Sequence, residues 1–248
     1  MFLLWRAALV FFIVMTVPAH AMTFHAVPPM LYLGGAVVDT DWDAWLEAMT
    51  RFGGGSEGTI TTIVFHQSGG GDSRAGRLIG NDIRRRKLNT VVYGRCASAC
   101  ANMFLGGINR QFAALPAHAA KIETTFLGFH GSYNKTTKAL NAKRPSDYYL
   151  AMTEGKMSEQ FVEKFIRLEN KKGLLRFIHP HQAAKRKTPL ALLCKGNELA
   201  ANRDKQCEHL DGVDALTQGV VTTWDEVAIA SPPMPSNDKI TVKSWNQD

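Results

Sequence analysis

The segment at residues 91–107, VVYGRCASACANMFLGG, limits the folds open to this chain more than any other stretch. Its β-branched and aromatic start predicts a strand that runs into Gly94 and a sharp turn. The small and apolar residues that follow predict a helix with Ser98 in its first turn. Backbone N–H groups at a helix start are unpaired and can face a developing negative charge. A glycine-rich segment at residues 67–71 also follows an apolar run, and the two together predict an acyl-transfer site.

Strands and helices are predicted to alternate along the first half of the chain. The predicted strands are 31–33, 59–66, 89–93 and 126–130, and the predicted helices are 39–52, 75–86 and 98–105. This alternation predicts an α/β fold with a largely parallel sheet. Ligand sites in such sheets lie at the carboxyl ends of the strands. Ser98, His130 and the glycine segment each follow a strand end, so one shared pocket is expected. Further on, we predict a helix over 147–176, a short helix over 210–218 and a last strand over 220–222.

Residues 1–21 have the pattern of a cleavable export signal. Arg6 precedes an apolar run at residues 7–17, and Ala-His-Ala at residues 19–21 is a small-residue cleavage site. The apolar run is shorter than the roughly 20 residues of a membrane span, although an uncleaved anchor is the alternative. We therefore expect a bacterial periplasmic or secreted protein with no stable membrane span after cleavage. The mature chain is predicted to be one domain over residues 22–230 and a flexible, proline-containing tail over 231–248.

The charged residues do not favour nucleic acid as a partner. The formal net charge of +7 becomes +6 when Arg6 leaves with the signal, and the charges are dispersed along the chain. The densest basic run, residues 84–87, is typical of a solvated helix end.

Four cysteines in an exported chain predict disulfides, for which three connectivities exist. We favour Cys194–Cys207, whose polar loop contributes roughly 3 kcal/mol to stability on chain-entropy grounds. Cys96 and Cys100 then flank Ser98 and can bridge across a helical turn. Their alternative is a pair of small buried residues that pack the turn. The sequence has no His and Cys cluster with zinc-ligand spacing, so no metal site is predicted.

Four short motifs follow one another in a fixed order in the first half of the chain. They are SGGG at residues 68–71, AG at 75–76, GRCAS at 94–98 and GFH at 128–130. In this order they resemble the Clp protease proteolytic subunit and its periplasmic ClpP-like relatives, within the crotonase-like superfamily. Gly69 stands where the family usually has proline. The resemblance extends over residues 31–130, with a weaker echo at 211–222. It implies a ClpP/crotonase-like fold of repeated β-β-α units and assembly into homo-oligomers.

The resemblance also implies the roles of four residues. Ser98 matches the nucleophile and His130 the general base, while the backbone N–H groups of Gly71 and Ala99 match the oxyanion hole. These roles agree with the chemistry, since a serine hydroxyl is a poor nucleophile until a neighbouring imidazole takes its proton. Each oxyanion donor can stabilise the transition state by roughly 3 kcal/mol.

The third catalytic residue is less well matched, because the family's aspartate falls by count on Cys207. The acidic residues nearby are Glu208, Asp211 and Asp214. We select Asp211 as the acid that orients His130. The alternative is that Asp211 only caps a helix over residues 212–218. His66 and His118 are alternative general bases. Lys121 leaves open a further variant, in which a Ser–Lys pair carries out the reaction.

Three functions follow from these patterns. The first is an exported serine hydrolase, a peptidase that cleaves peptide or protein substrates through an acyl-enzyme at Ser98 and needs no cofactor. The second is an inactive ClpP-like binding or assembly module, because the acid is unassigned and a Cys96–Cys100 bridge would distort the turn. The third is acyl-CoA chemistry on the same fold, against which export argues because coenzyme A is not expected outside the cytoplasm.

Overall fold

The structure is a computed structural model that describes residues 21–55, 58–115, 124–134, 136–137, 139, 146–199 and 203–229. The predicted tail and nearly all of the predicted signal lie outside these residues, as do His118 and Lys121. Within the described ranges, none of the helices combines the length and the apolar character needed to cross a membrane.

In the described part of the chain, nine strands form one sheet in the order β1-β2-β3-β4-β6-β7-β8-β9, with β5 also paired to β4. The strands are β1 Thr23–Val27, β2 Met30–Val37, β3 Thr62–Gly71, β4 Asn89–Ala97, β5 Arg110–Phe112, β6 Phe126–Phe129, β7 Leu174–Ile178, β8 Ala191–Cys194 and β9 Glu208–His209. Strands β2 to β6 run parallel, and antiparallel strands extend the sheet on both sides. The predicted α/β class with a largely parallel sheet is confirmed.

Helices connect the parallel strands and continue into the second half of the chain. They are α1 Asp41–Phe52, α2 Ser73–Arg85, α3 Ala99–Leu105, α4 Ser146–Met152, α5 Glu159–Ile166, α6 Pro180–Arg186 and α7 Arg203–Gln206. Helix α2 begins where the carboxylate of Asp72 accepts hydrogen bonds from the backbone N–H groups of Arg74 (3.0 Å) and Ala75 (2.9 Å). This cap fixes the chain directly after the glycine end of β3.

The centre of the sheet is buried on both faces, as is usual for parallel strands. One face contributes the paired residues Leu33, Phe65 and Val92 to the main hydrophobic core. The opposite face contributes Tyr32, Val64 and Val91 to a smaller cluster. The hydrophobic effect therefore fixes the register of the three central strands, because a slip of one residue would exchange the two faces.

Two arginines bind the carboxyl end of α3, whose amino end follows Ser98. Arg84 donates to the carbonyl oxygens of Leu105 and Gly106, both at 3.0 Å. Arg110, which is buried, donates to Gly107 O at 2.7 Å. Positive charge at a helix carboxyl end is favourable, because the unpaired carbonyl groups there carry partial negative charge. Arg84 thereby attaches the end of α3 to α2, and Arg110, the first residue of β5, attaches it to the sheet.

Several element predictions for the second half of the chain are wrong. Residues 147–176 form α4, α5 and the start of β7 instead of one helix. Residues 210–218 form turns, because the carboxylate of Asp214 accepts from the N–H groups of Leu216 and Thr217, both at 2.8 Å. Residues 220–222 are not part of a strand. In the first half, β3 and β4 each end several residues later than predicted. The pairing between these two strands shifts register between His66 and Ser68 and then continues.

Candidate active site

Ser98 lies in the tight connection between β4 and α3. Its backbone has φ 56° and ψ −121°, a left-handed conformation that non-glycine residues rarely adopt and that costs on the order of 1–3 kcal/mol. Two backbone hydrogen bonds hold the turn, from Ser98 N to Gly128 O at 2.8 Å and from Asn102 N to Ser98 O at 3.0 Å. The hydroxyl of Ser98 makes no capping hydrogen bond, and the residue is half-buried. The strained turn therefore presents a hydroxyl that makes no hydrogen bond within the described part of the chain.

The glycine end of β3 lies directly against this turn. A Cβ atom on Gly70 would be 2.6 Å from Ser98 Cβ and 2.8 Å from Ala99 N, and Gly70 also has φ 86°. A Cβ on Gly71 would be 2.0 Å from Val37 O in the neighbouring strand. Only glycine therefore allows β3 to approach both the turn and β2 this closely. Of the two predicted oxyanion donors, Ala99 directly follows Ser98, and Gly71 directly follows Gly70 at the end of β3.

His130 follows β6, which pairs in parallel with β4 through Ala97 and Gly128. Because Ser98 directly follows Ala97, the two predicted catalytic side chains leave adjacent strands at the same edge of the sheet. The Nδ1 atom of His130 lies 2.5 Å from Gly131 O and so carries a proton that it donates to this carbonyl. The Nε2 atom of the neutral ring is then an acceptor.

Burial lowers the pKa of His130 below its ordinary value, and the hydrogen bond to Gly131 offsets part of this effect. A charged imidazolium is disfavoured where water is excluded, so the ring is neutral near pH 7. A neutral imidazole with a free Nε2 lone pair is the form that can take a proton from a serine hydroxyl.

Tyr133 is a neighbour of His130 that sequence reasoning did not identify. Its ring centroid lies 5.3 Å from that of His130, with 39° between the ring planes. The Tyr133 hydroxyl donates to Leu168 O and lies 3.2 Å from Asn170 O, in the turn after α5. Burial raises the pKa of Tyr133. The anchored phenol ring therefore shields one side of His130 and limits the positions of its imidazole.

The structure does not bring Asp211 to His130. Asp211 is exposed and follows β9, which lies three strands from β6 in the sheet order. Glu208 lies within β9 itself, and Asp214 is engaged in its own turn. Strands in a sheet are spaced by about 4.8 Å, so three strands separate the groups by roughly 14 Å. Among the described residues, none forms an ion pair with His130, and Gly131 O takes the position at Nδ1 that a carboxylate occupies in a catalytic triad.

Both expected disulfides are present. Cys96 and Cys100 are bonded across the Ser98 turn with Cα atoms 5.3 Å apart. Cys194 and Cys207 are bonded with Cα atoms 4.4 Å apart, and this second bond closes the loop between β8 and β9. The first bond belongs to the candidate site, and the second lies outside it.

The polar cluster of His179, His181 and Glu226 lies away from Ser98. His179 N donates to Thr125 O, which places the cluster near the start of β6 and not near its end. The carboxylate of Glu226 lies 3.1 Å from His179 Nε2 and 3.3 Å from His181 Nδ1. His179 Nδ1 accepts from His181 N, so Nε2 carries the proton of the neutral ring and donates to the acceptors around it. The three residues therefore form a hydrogen-bonded group that attaches the segment around Glu226 to the sheet.

Comparison with known proteins identifies distant likenesses among solved structures. No family model and no curated protein matches this chain. Among solved structures, a ClpP1 mutant from Listeria monocytogenes is 16% identical over 80% of this chain and 91% of that one, with a TM-score of 0.44. A mutant of the 1510-N membrane-bound stomatin-specific protease in complex with a substrate peptide is 15% identical over 62% and 69% of the two chains, with a TM-score of 0.39. A protein described as an enoyl-CoA hydratase from Rhodopseudomonas palustris is 14% identical over 44% and 48%, with a TM-score of 0.30. These likenesses are too distant to decide the family, so membership of the ClpP/crotonase-like superfamily stays a prediction.

Proposed function

We propose that this protein is an exported serine peptidase of ClpP-like type that forms an acyl-enzyme at Ser98 with His130 as general base. The observation that carries the proposal is the position of Ser98. A strained turn holds it between Gly70, which no larger residue could replace, and the strand that leads to His130. Strained backbone conformations of this kind cluster at active sites, where the surrounding structure maintains them.

The proposed reaction uses the protein's own groups throughout. His130 Nε2 takes the hydroxyl proton as Ser98 Oγ attacks the substrate carbonyl carbon. The N–H groups of Gly71 and Ala99 stabilise the resulting oxyanion. The imidazolium then protonates the leaving amine as the carbon–nitrogen bond breaks, and water hydrolyses the acyl-enzyme by the same steps.

In this proposal Gly131 and Tyr133 do the work that an aspartate does in a catalytic triad. The Gly131 carbonyl accepts the Nδ1 proton and fixes the tautomer, and the Tyr133 ring restricts the imidazole. A neutral carbonyl stabilises the developing imidazolium less than a carboxylate does, because it carries no negative charge. We therefore expect slow turnover.

The proposed substrate is a peptide or protein, in line with the motif resemblance. Two disulfides are consistent with an extracellular or periplasmic location, because such bonds persist in oxidising compartments. Self-association into a homo-oligomer is part of the proposal, and nucleic acid is not a proposed partner. Analytical ultracentrifugation tests the assembly, and a monomer at all concentrations would contradict it.

The test of the proposed function is cleavage of a mixed peptide library by the oxidised protein, read by mass spectrometry. Cleavage is expected for the unaltered chain and for Ser132→Ala, whose hydroxyl lies 3.4 Å from that of Ser73 and has no proposed role. Cleavage is expected to be lost in Ser98→Ala and in His130→Ala. Equal cleavage by Ser98→Ala and the unaltered chain would contradict the proposal.

One observation favours a second function, a binding or assembly module without turnover. Within the described residues, none of the carboxylates reaches His130, so the base is oriented only by a carbonyl and a ring. This alternative predicts that the oxidised protein cleaves no peptide and that capture of a protein partner is unchanged by Ser98→Ala. Ser98-dependent turnover excludes it.

A further inference from the structure

The disulfide between Cys96 and Cys100 encloses Ser98 in a short covalent loop. Cys96 is the last residue but one of β4, and Cys100 is the second residue of α3. The bond therefore joins the strand before the Ser98 turn to the helix after it. Both cysteines are fully buried, with 0% exposure.

The two ends of this bond differ in how they are otherwise held. Cys96 pairs with Ser68 of β3 on one side and with Leu127 of β6 on the other, so it is fixed in the middle of the sheet. The first turn of α3 lies outside the sheet and is buried against α2, where a Cβ on Gly76 would be 2.7 Å from Ala99 O. The hydroxyl of Ser98 does not cap it, and its first helical hydrogen bond runs from Asn102 N to Ser98 O. The disulfide is the covalent attachment of this turn to the sheet.

We propose that the Cys96–Cys100 disulfide is a positioning element for the nucleophile, without which Ser98 leaves its strained conformation. The left-handed backbone of Ser98 is unfavourable for a residue with a side chain, so the turn relaxes when its restraints weaken. Relaxation moves the hydroxyl away from Gly70 and from the end of β6. This inference rests on the proposed function and adds that Ser98 reacts much faster when the flanking thiols are oxidised than when they are reduced. A dithiol such as dithiothreitol reduces the Cys96–Cys100 disulfide. The reagent supplies two electrons that convert the bond to two thiols, and it forms its own cyclic disulfide.

The second disulfide provides a matched control. Cys194 lies in β8, two strands from β6, and its partner Cys207 precedes β9. A role limited to general stability predicts similar effects from removing either bond. A positioning role predicts that only removal of the Cys96–Cys100 bond changes the reactivity of Ser98.

The experiment compares Cys96→Ala/Cys100→Ala with Cys194→Ala/Cys207→Ala, each checked for folding by circular dichroism. We measure the rate of fluorophosphonate labelling at Ser98 and the hydrogen exchange of the Asn102 amide. In the first variant, we expect fluorophosphonate labelling of Ser98 to be at least about tenfold slower, since small displacements of a nucleophile reduce the reaction rate by large factors. We also expect the Asn102 amide to exchange faster. The second variant is expected to match the unaltered protein in both measurements.

A reversible form of the experiment covers the case in which the first variant does not fold. Cys194→Ala/Cys207→Ala retains only the Cys96–Cys100 bond, so dithiothreitol acts on this bond alone. Labelling is expected to fall on reduction and to return on reoxidation. Unchanged labelling and unchanged Asn102 exchange after reduction, verified by mass, would overturn the inference. If the oxidised unaltered protein is not labelled, the proposed function is wrong, and the exchange measurement still decides whether the bond positions the turn.

Discussion

The backbone N–H of Ser98 donates to the carbonyl of Gly128 at 2.8 Å, two residues before His130. This bond continues the parallel ladder between β4 and β6 beyond the last strand residue, Ala97. It couples the position of the proposed nucleophile to the strand that carries the proposed base.

Replacing Gly70 should disturb the site more than replacing its neighbour Gly69. In Gly70→Ala the new Cβ would lie 2.6 Å from Ser98 Cβ and 2.4 Å from Ala97 O, at a positive φ. We expect a loss of about 1–3 kcal/mol in the free energy of unfolding, together with loss of labelling at Ser98. Gly69→Ala is the control, because nothing lies within 4 Å of its Cβ position. Urea unfolding and labelling rates check both variants, and equal behaviour of the two would be evidence against the close approach of β3.

The ring of Tyr133 should contribute to the low pKa of His130. Tyr133→Ala admits water to one side of the imidazole, so the pKa of His130 is expected to rise towards its ordinary value. Tyr133→Phe keeps the ring and should leave the pKa nearly unchanged, while labelling slows because the anchor to Leu168 is lost. NMR titration of the His130 ring measures the pKa independently of activity. A pKa that does not respond to Tyr133→Ala would show that this ring does not shield His130.

The rate of labelling should depend on pH through His130. Burial lowers the pKa of this residue, so its base form persists below the ordinary histidine value of about 6.5. The rate is therefore expected to be flat near pH 7 and to fall on the acid side at a midpoint below that value. A midpoint at or above the ordinary value would contradict the burial of the ring.

The free energy of unfolding should also fall over the same acid range, because the pKa of His130 is lower in the folded state than in the unfolded state. The folded state holds His130 neutral at pH values where the unfolded chain already binds a proton, so the unfolded state binds more protons. The free energy of unfolding consequently decreases as the pH drops below the ordinary histidine pKa. His66 and His179 contribute in the same direction, since burial lowers the pKa of each. Urea unfolding at pH 7 and pH 5 measures this dependence, which His130→Gln should reduce but not abolish.

Removal of Arg110 should destabilise the fold far more than removal of an exposed arginine. The guanidinium of Arg110 donates to the carbonyl oxygens of Gly107, Gly219 and Val220 at 2.7–3.0 Å, and burial lowers its pKa to about 10. Arg110→Met leaves these acceptors without their donor, at a cost of roughly 3 kcal/mol or more. Arg167→Met, which removes an exposed ion pair with Glu163, should cost less than about 1 kcal/mol. Thermal unfolding distinguishes the two, and similar midpoints would contradict the role assigned to Arg110.

The strands and helices around the site could be predicted from the sequence, because the interactions that form them involve residues close together in the chain. The β-branched runs of β3 and β4, the glycines after them and the spacing of Cys96 and Cys100 each depend on residues near one another in sequence. The parallel sheet followed from the alternation of these elements. Ser98 and His130 each directly follow a strand, and their proposed roles come from the motif resemblance.

Contacts between distant segments could not be read in this way. Tyr133 reaches carbonyl groups at Leu168 and Asn170, more than thirty residues further on, and nothing in the motif around His130 indicates this anchor. The expectation for Asp211 assumed that the chain returns to the site after Cys207. The antiparallel strands β7 to β9 instead carry it three strands away. Apolar spacing alone also could not show that residues 174–178 leave the helix to pair with β6.

Covalent labelling of the oxidised protein decides whether Ser98 is an activated nucleophile. The protein is treated with a fluorophosphonate, its intact mass is measured, and the modified residue is identified by peptide mapping. We expect one adduct on Ser98, which is lost in both Ser98→Ala and His130→Ala. An unmodified protein, or an adduct that persists in Ser98→Ala, would contradict it.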